Sequence, residues 1–307
     1  MEIIKRFILI FVFFIFIVSC QANEQNMETK PIIYTSIYPL EFVVDQLTEN
    51  FAITKTIFPP GVDAHTYEPT IKDILAIADG EAFIYLGKGM EGSADKISEA
   101  LNHTDVTLIE IGQYTEIFLE ADEDDDGQDG HSHGDYDPHI WFDPERMITL
   151  SEIVKDELNE LFPENRQIIA QNFNKLAGQL TELDEQFSRR LQHKENPHII
   201  VSHAAYGYWE HKYHIKQMPI SGISSTDEPS QKALAHLVEL AKTYDLEYVL
   251  FEKTTSNRLA TIVQEEIGAK SLYIHNLETL LPEDIEQRKD YFSIMQDNLN
   301  TLDEATK

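Results

Sequence analysis

The sequence predicts an α/β protein of two lobes, each a parallel-type sheet flanked by helices, joined by one long backbone helix. Three observations lead there. From Pro31 onward, short apolar runs alternate with helical patterns, as in a parallel sheet covered by helices. From Pro163 to Lys194 one apolar stripe runs on without a second proline. After Pro197 the strand and helix alternation starts again. A chain of 307 residues suffices for two ordinary domains at roughly 100–200 residues each.

In the first half, Ile32-Ile33-Tyr34 reads as a strand and Leu40 to Leu47 as a helix. Ile53 to Ile57 is a second strand, broken by Pro59-Pro60-Gly61. Thr70 caps a helix running to about Asp79, because its hydroxyl can accept the unpaired backbone N–H groups of a first turn. Ala82 to Leu86 is a third strand and Thr107 to Ile109 a fourth. Residues 121–137 hold many acids, three glycines and two histidines, His131 and His133, with no apolar face, which predicts a mobile loop. In the long stretch, Ile169, Phe173, Leu176, Leu180, Leu183, Phe187 and Leu191 recur at spacings of three and four. That is one face of an amphipathic helix. Pro163 suits its first turn, and Asn196-Pro197 ends it. We read it as a rod joining the lobes.

In the second half, His198 to Val201, Ile215 to Ile220, Tyr248 to Phe251 and Ser271 to Ile274 read as strands. Helices are expected at Ala204 to Lys212, Pro229 to Tyr244, Arg258 to Ile267 and Gln287 to Leu302. The halves are alike in makeup, without a clear sequence repeat. The boundaries that follow are 31–162 for the first lobe, 163–196 for the linking helix and 197–307 for the second lobe.

Composition narrows the function. There are 24 Lys+Arg against 54 Asp+Glu, a formal charge of −30. Such a surface repels nucleic acid and anionic head groups and gathers cations. A single cysteine rules out an internal disulfide framework, a cysteine zinc cluster and a thioredoxin-like pair. Lys5 and Arg6 precede twelve unbroken apolar residues, Phe7 to Val18. That run spans ~18 Å as a helix, short of a ~30 Å hydrocarbon core, so it reads as a signal peptide. It ends Ile17-Val18-Ser19-Cys20, which resembles the lipobox of bacterial lipoproteins, where cleavage precedes the cysteine and its sulfur takes a lipid. The signal peptide is then 1–19 and the lipidated tether 20–30.

Three histidines stand in proline-rich or strand-end loops. His65 lies in Pro59-Pro60-Gly61-Val62-Asp63-Ala64-His65-Thr66-Tyr67-Glu68-Pro69-Thr70. His139 lies in Asp137-Pro138-His139-Ile140-Trp141-Phe142-Asp143-Pro144. His203 follows the strand His198-Ile199-Ile200-Val201. Ligands of open α/β sheets bind beyond the carboxyl ends of strands, where His65 and His203 fall, one from each half. Neutral imidazole is a common zinc ligand. A fourth ligand could be Glu252, ending the Tyr248 to Phe251 strand, or Glu278, just past Ser271 to Ile274; position alone does not choose. His211 and His214 read as surface residues, and Tyr206, Tyr208 and Trp209 as packing. Gly87-Lys88-Gly89 lacks the spacing of a phosphate loop. Ser224 to Ser230 reads as a turn and helix start that could also touch a permease.

These segments resemble the zinc-binding lipoproteins of ABC metal importers, the cluster A-I solute-binding proteins. The Pro-Pro-Gly…His-x-Tyr-Glu-Pro-Thr loop, Asp-Pro-His-x-Trp-x-Asp-Pro and Ser-His-x-Ala-Tyr-Gly-Tyr occur in the family's order. The resemblance covers essentially the whole chain and implies two lobes on one backbone helix. It implies zinc ligands at His65, His139 and His203, with Glu278 as the fourth. The family segment Asn-Pro-Leu-Glu is matched by Asn276-Leu277-Glu278 without the proline; Glu252 stays a reserve or supporting carboxylate. Manganese members tend to carry a glutamate where His203 stands, so three imidazoles and one carboxylate point to Zn²⁺. The implied protein is a monomer that captures Zn²⁺ outside the cytoplasm, held to the membrane through Cys20, and passes it to an ABC permease. His131 and His133 are either a metal-collecting arm or part of a solvated linker, dispensable for tight binding in both cases. The competing readings are a manganese receptor of the same family, a surface adhesin as some relatives are called, and a secreted zinc hydrolase. Against the hydrolase, no HExxH and no GxSxG is present.

Overall fold

A computed structural model describes residues 30–87, 90–120, 136–255 and 258–306. The expected signal peptide, Cys20, the tether to residue 29 and both His131 and His133 lie outside the described residues.

The first sheet is built from β1 (Ile32–Thr35), β2 (Ile53–Thr56), β3 (Ala82–Tyr85) and β4 (Thr107–Glu110). The second is built from β7 (His198–His203), β8 (Lys216–Ser221), β9 (Tyr248–Glu252) and β10 (Lys270–Ile274). All pairs in both sheets are parallel. Their orders, β2-β1-β3-β4 and β10-β9-β7-β8, are one topology used twice. In each, the second strand pairs on one side of the first, the third on the other side, and the fourth outside the third. The halves thus repeat in topology where their sequences show no repeat. β5 (Leu119–Glu120) and β6 (Tyr136–Asp137) form a small antiparallel ribbon.

Central strands are apolar on both faces because helices cover both: all four residues of β3 are buried. Edge strand β2 alternates instead between exposed and half-buried residues. Around the first sheet lie α1 (Tyr38–Thr48), α2 (Ile71–Ala78) and α3 (Ala94–Leu101). Thr70 caps α2 as expected, in a reciprocal box with Asp73. Between the sheets in sequence come α4 (Pro144–Leu161) and α5 (Arg166–Leu191). The second sheet carries α6 (Gly207–Tyr213), α7 (Gln231–Thr243), α8 (Arg258–Ile267), α9 (Pro282–Glu286) and α10 (Tyr291–Ala305).

The long helix differs from the expected span of 163–196. Pro163–Asn165 forms a separate 3-10 turn, and α5 proper is 26 residues, or about 39 Å. Of its predicted stripe, Ile169, Leu176, Leu180, Leu183, Phe187 and Leu191 are buried and Phe173 is partly buried. α5 is not a free-standing rod. It packs along α4 as a helical hairpin and also touches α1, α6 and α10. α4 is absent from the sequence reading. Asp143 caps it and Pro144 takes its first position, so a proline that looks like a stop is a start. One large core runs through both halves, and a smaller one lies under α7 and α8.

Candidate metal centre

The candidate residues reach one place by different routes. His65 sits in the loop between β2 and α2, where Asp63 Oδ1 accepts its backbone N–H at 2.9 Å. His139 follows β6 and opens a 3-10 turn, Ile140–Phe142. His203 is the last residue of β7. Glu278 lies four residues past β10, in a loop laid against the first half. Tyr38 N–H donates to the Glu278 carbonyl at 2.9 Å, Gly61 N–H to the Leu280 carbonyl at 2.9 Å, and Thr279 Oγ1 to the Val62 carbonyl at 2.8 Å.

These four residues come together. One ligand atom from each of His65, His139, His203 and Glu278 lies within 4.8 Å of the others. Glu278 Oε1 is 3.8 Å from His65 Nε2 and 3.7 Å from His203 Nε2. The three imidazole rings meet edge to face, with centroids 5.3–6.0 Å apart. The three Nε2 atoms and Glu278 Oε1 are all buried, and none has a hydrogen-bond partner. Leaving four such atoms together in the interior is costly unless something binds them.

The opposite edge of each ring is held. His139 Nδ1–H donates to Asp137 Oδ1 at 2.7 Å, and the His139 backbone N–H donates to the same oxygen at 3.0 Å. His203 Nδ1–H donates to Glu252 Oε1 at 2.8 Å, where Tyr206 O–H also donates at 3.1 Å. The His65 ring bonds the Met90 backbone. Each bond takes the Nδ1 edge of its ring and leaves Nε2 facing its neighbours, the nitrogen a metal-binding imidazole would present. Glu252 therefore lies behind His203, outside the group of four.

The electrostatics fit a cation between these groups. Burial, then the neighbouring His139 and His203, hold His65 well below the ordinary imidazole range. Burial also lowers His139, against the pull of Asp137. For His203 burial opposes protonation, but Glu252 outweighs it and the pKa rises to about 9. Burial pushes Glu278 up to about 8, with His203 opposing. A divalent ion would replace these protons.

Several supporting residues had no polar role assigned in the sequence. Asp137 was visible only as a motif letter, and Tyr206 was read as packing, which its burial bears out. Glu91, 4% exposed, closes the loop after β3: its carboxylate accepts Leu86 N–H at 2.9 Å, Gly87 N–H at 2.8 Å and the Ser36 hydroxyl. The neighbouring Met90 is the residue that holds His65. No spacing rule links Glu91 to His65; only the fold does.

The chain as a whole matches a known group of proteins. A sequence model described as zinc-uptake complex component A, periplasmic, covers residues 33–305. The chain belongs to this family. Among its relatives is the zinc-binding lipoprotein AdcA of Streptococcus pneumoniae, 30% identical over 296 residues, 95% of this chain and 59% of that protein. This chain thus spans under two thirds of that longer relative's length. The high-affinity zinc uptake system protein ZnuA of Bacillus subtilis is 27% identical over 94% of this chain and 91% of its own. Among solved structures, the Zn(II)-bound ZnuA-like domain of S. pneumoniae AdcA superposes with a TM-score of 0.73 at 29% identity, covering 90% of this chain and 99% of that one. The family fold and this one agree: two parallel sheets flanked by helices, with a long helix between them in sequence.

Proposed function

We propose that the protein is an extracytoplasmic receptor that binds Zn²⁺ as cargo through His65, His139, His203 and Glu278 and delivers it to an ABC permease. One observation carries this reading: four buried ligand atoms, from three imidazoles and one carboxylate, face one another without hydrogen-bond partners. Four protein ligands make a closed tetrahedral site, which suits holding an ion rather than activating water on it. That favours a receptor over an enzyme. Imidazole-rich donors prefer Zn²⁺ over Mn²⁺. His65 and His139 come from the 31–162 segment and His203 and Glu278 from 197–307, so the ion would sit between the proposed lobes. In this reading Cys20 carries the lipid that keeps the receptor, as a monomer, at the membrane.

The test is competitive titration of the metal-free protein against a chromophoric zinc chelator. One tight Zn²⁺ per chain is expected, lost in His65→Ala, His139→Ala or His203→Ala. Absence of tight zinc, or tighter retention of Mn²⁺, would overturn the assignment.

A further inference from the structure

We infer that His275 is a positioning residue: its neutral imidazole sets the place of the Glu278 carboxylate. The inference rests on the reading of Glu278 as a ligand. Glu278 has no regular element to hold it. It follows Leu277, a buried non-glycine residue at φ +65°, in the left-handed region that ordinary side chains avoid. Something must keep that turn in place.

His275 does so with both ring nitrogens. Leu277 N–H donates to His275 Nδ1 at 2.9 Å, which requires that Nδ1 carry no proton. The proton then sits on Nε2, which donates to Asp284 Oδ2 at 3.0 Å. Asp284 is fixed in turn: the same oxygen accepts Leu281 N–H at 3.0 Å, and Lys289 Nζ lies 3.8 Å from its other oxygen. The backbone of His275 is clamped as well. Its N–H donates to Asn298 Oδ1 at 2.9 Å, and its carbonyl accepts from Asn298 Nδ2 at 2.8 Å. An anchored imidazole thus supplies the acceptor for a strained turn, and the turn's next residue is Glu278. The Asn276 side chain repeats the device one residue on, accepting Glu278 N–H at 3.4 Å. The arrangement is a side-chain-to-backbone turn of the kind asparagine and aspartate usually make, here built with histidine.

The experiment measures Zn²⁺ affinity by chelator competition for wild type, His275→Ala, His275→Leu, His275→Asn and Glu278→Gln, with the thermal midpoint of each metal-free protein. His275→Ala and His275→Leu should weaken zinc roughly 10- to 100-fold, the range for residues that orient a ligand. Leu keeps the bulk but lacks the acceptor, so equal losses identify the acceptor as the cause. His275→Asn restores an acceptor two residues before Leu277 and should recover most of the affinity. In the wild-type protein, ring ¹⁵N shifts should report His275 as the Nε2–H tautomer. Wild-type affinity in His275→Leu alongside a loss in Glu278→Gln overturns the positioning role and leaves the ligand set standing. Wild-type affinity in Glu278→Gln overturns the ligand reading, and this role with it. An Nδ1–H tautomer overturns the role even if the variants fail to fold.

Discussion

At the scale of single residues, the proposed site would depend on groups that do not touch its ion. Gly207 shows how tightly they are packed: a Cβ built there would lie 2.7 Å from Asp137 Oδ2. Gly207→Ala should therefore displace the carboxylate that orients His139. Zinc affinity should fall roughly 10- to 100-fold with little change in secondary structure, as chelator competition and circular dichroism would show. Protons would compete with an ion at the proposed site. His203 is raised to about 9 and Glu278 to about 8. Both folded-state values exceed the ordinary ones, so at these two groups the metal-free fold holds more protons than the unfolded chain. Its stability from these groups is present at low pH and is lost as pH rises through about 8 and 9. The thermal midpoint of metal-free protein should accordingly fall between pH 7 and pH 9, while the zinc-loaded midpoint should stay nearly level. A metal-free midpoint that climbs across that window would contradict the assignment. At this scale the sequence was informative for His65, His139 and His203, since each stands in a motif with its own local geometry. Asp137, Glu91 and His275 were silent, because what they hold is a backbone group or ring edge that only folding brings near.

At the scale of elements, α5 shows how far periodicity carries. Its apolar stripe located the helix and its buried face, because a spacing of three and four is set by helical geometry alone. The ends were not legible: Pro163 opens a separate turn, so the helix starts later than the proline suggests. α4 was hidden for a related reason, since Asp143 and Pro144 serve a metal-loop motif and a helix start at once. Two substitutions probe α5. Leu180 is fully buried, and Leu180→Ala should cost about 2–5 kcal/mol, read from urea unfolding. Gly178 is exposed in mid-helix with nothing within 4 Å of an added Cβ. Gly178→Ala should stabilise by about 0.5–1 kcal/mol.

At the scale of the whole molecule, one strand order is used in both sheets, and loops from both halves meet around His65, His139, His203 and Glu278. In the second sheet β7 and β9 pair next to each other across the point where strand order reverses, and they end in His203 and Glu252. The sequence showed the alternation that makes such sheets but not their order, because order is decided by which strands meet, not by any one strand's residues. Hydrogen bonds then join the halves directly. Ala64 N–H donates to Glu278 Oε2 at 3.3 Å, Trp141 Nε1–H to the Asn276 carbonyl at 2.8 Å, and Ser225 Oγ to Asp63 Oδ2 at 2.6 Å. An ion bound there would stabilise the native state by mass action, about 4 kcal/mol at a thousandfold excess over its dissociation constant. Adding a chelator should lower the thermal midpoint accordingly, and the shift should vanish in His139→Ala.

Ala64 and Glu278 stand 214 positions apart in the chain of 307, so an ion bound beside them would act as a stitch across a long loop. A stitch that closes so long a loop suppresses the partial openings on which proteases feed. The metal-free protein should be digested faster than the zinc-loaded one, and limited proteolysis with and without Zn²⁺ would measure the ratio. If the proposed function holds, turnover of the protein would then follow zinc supply, with scarcity thinning the metal-free molecules.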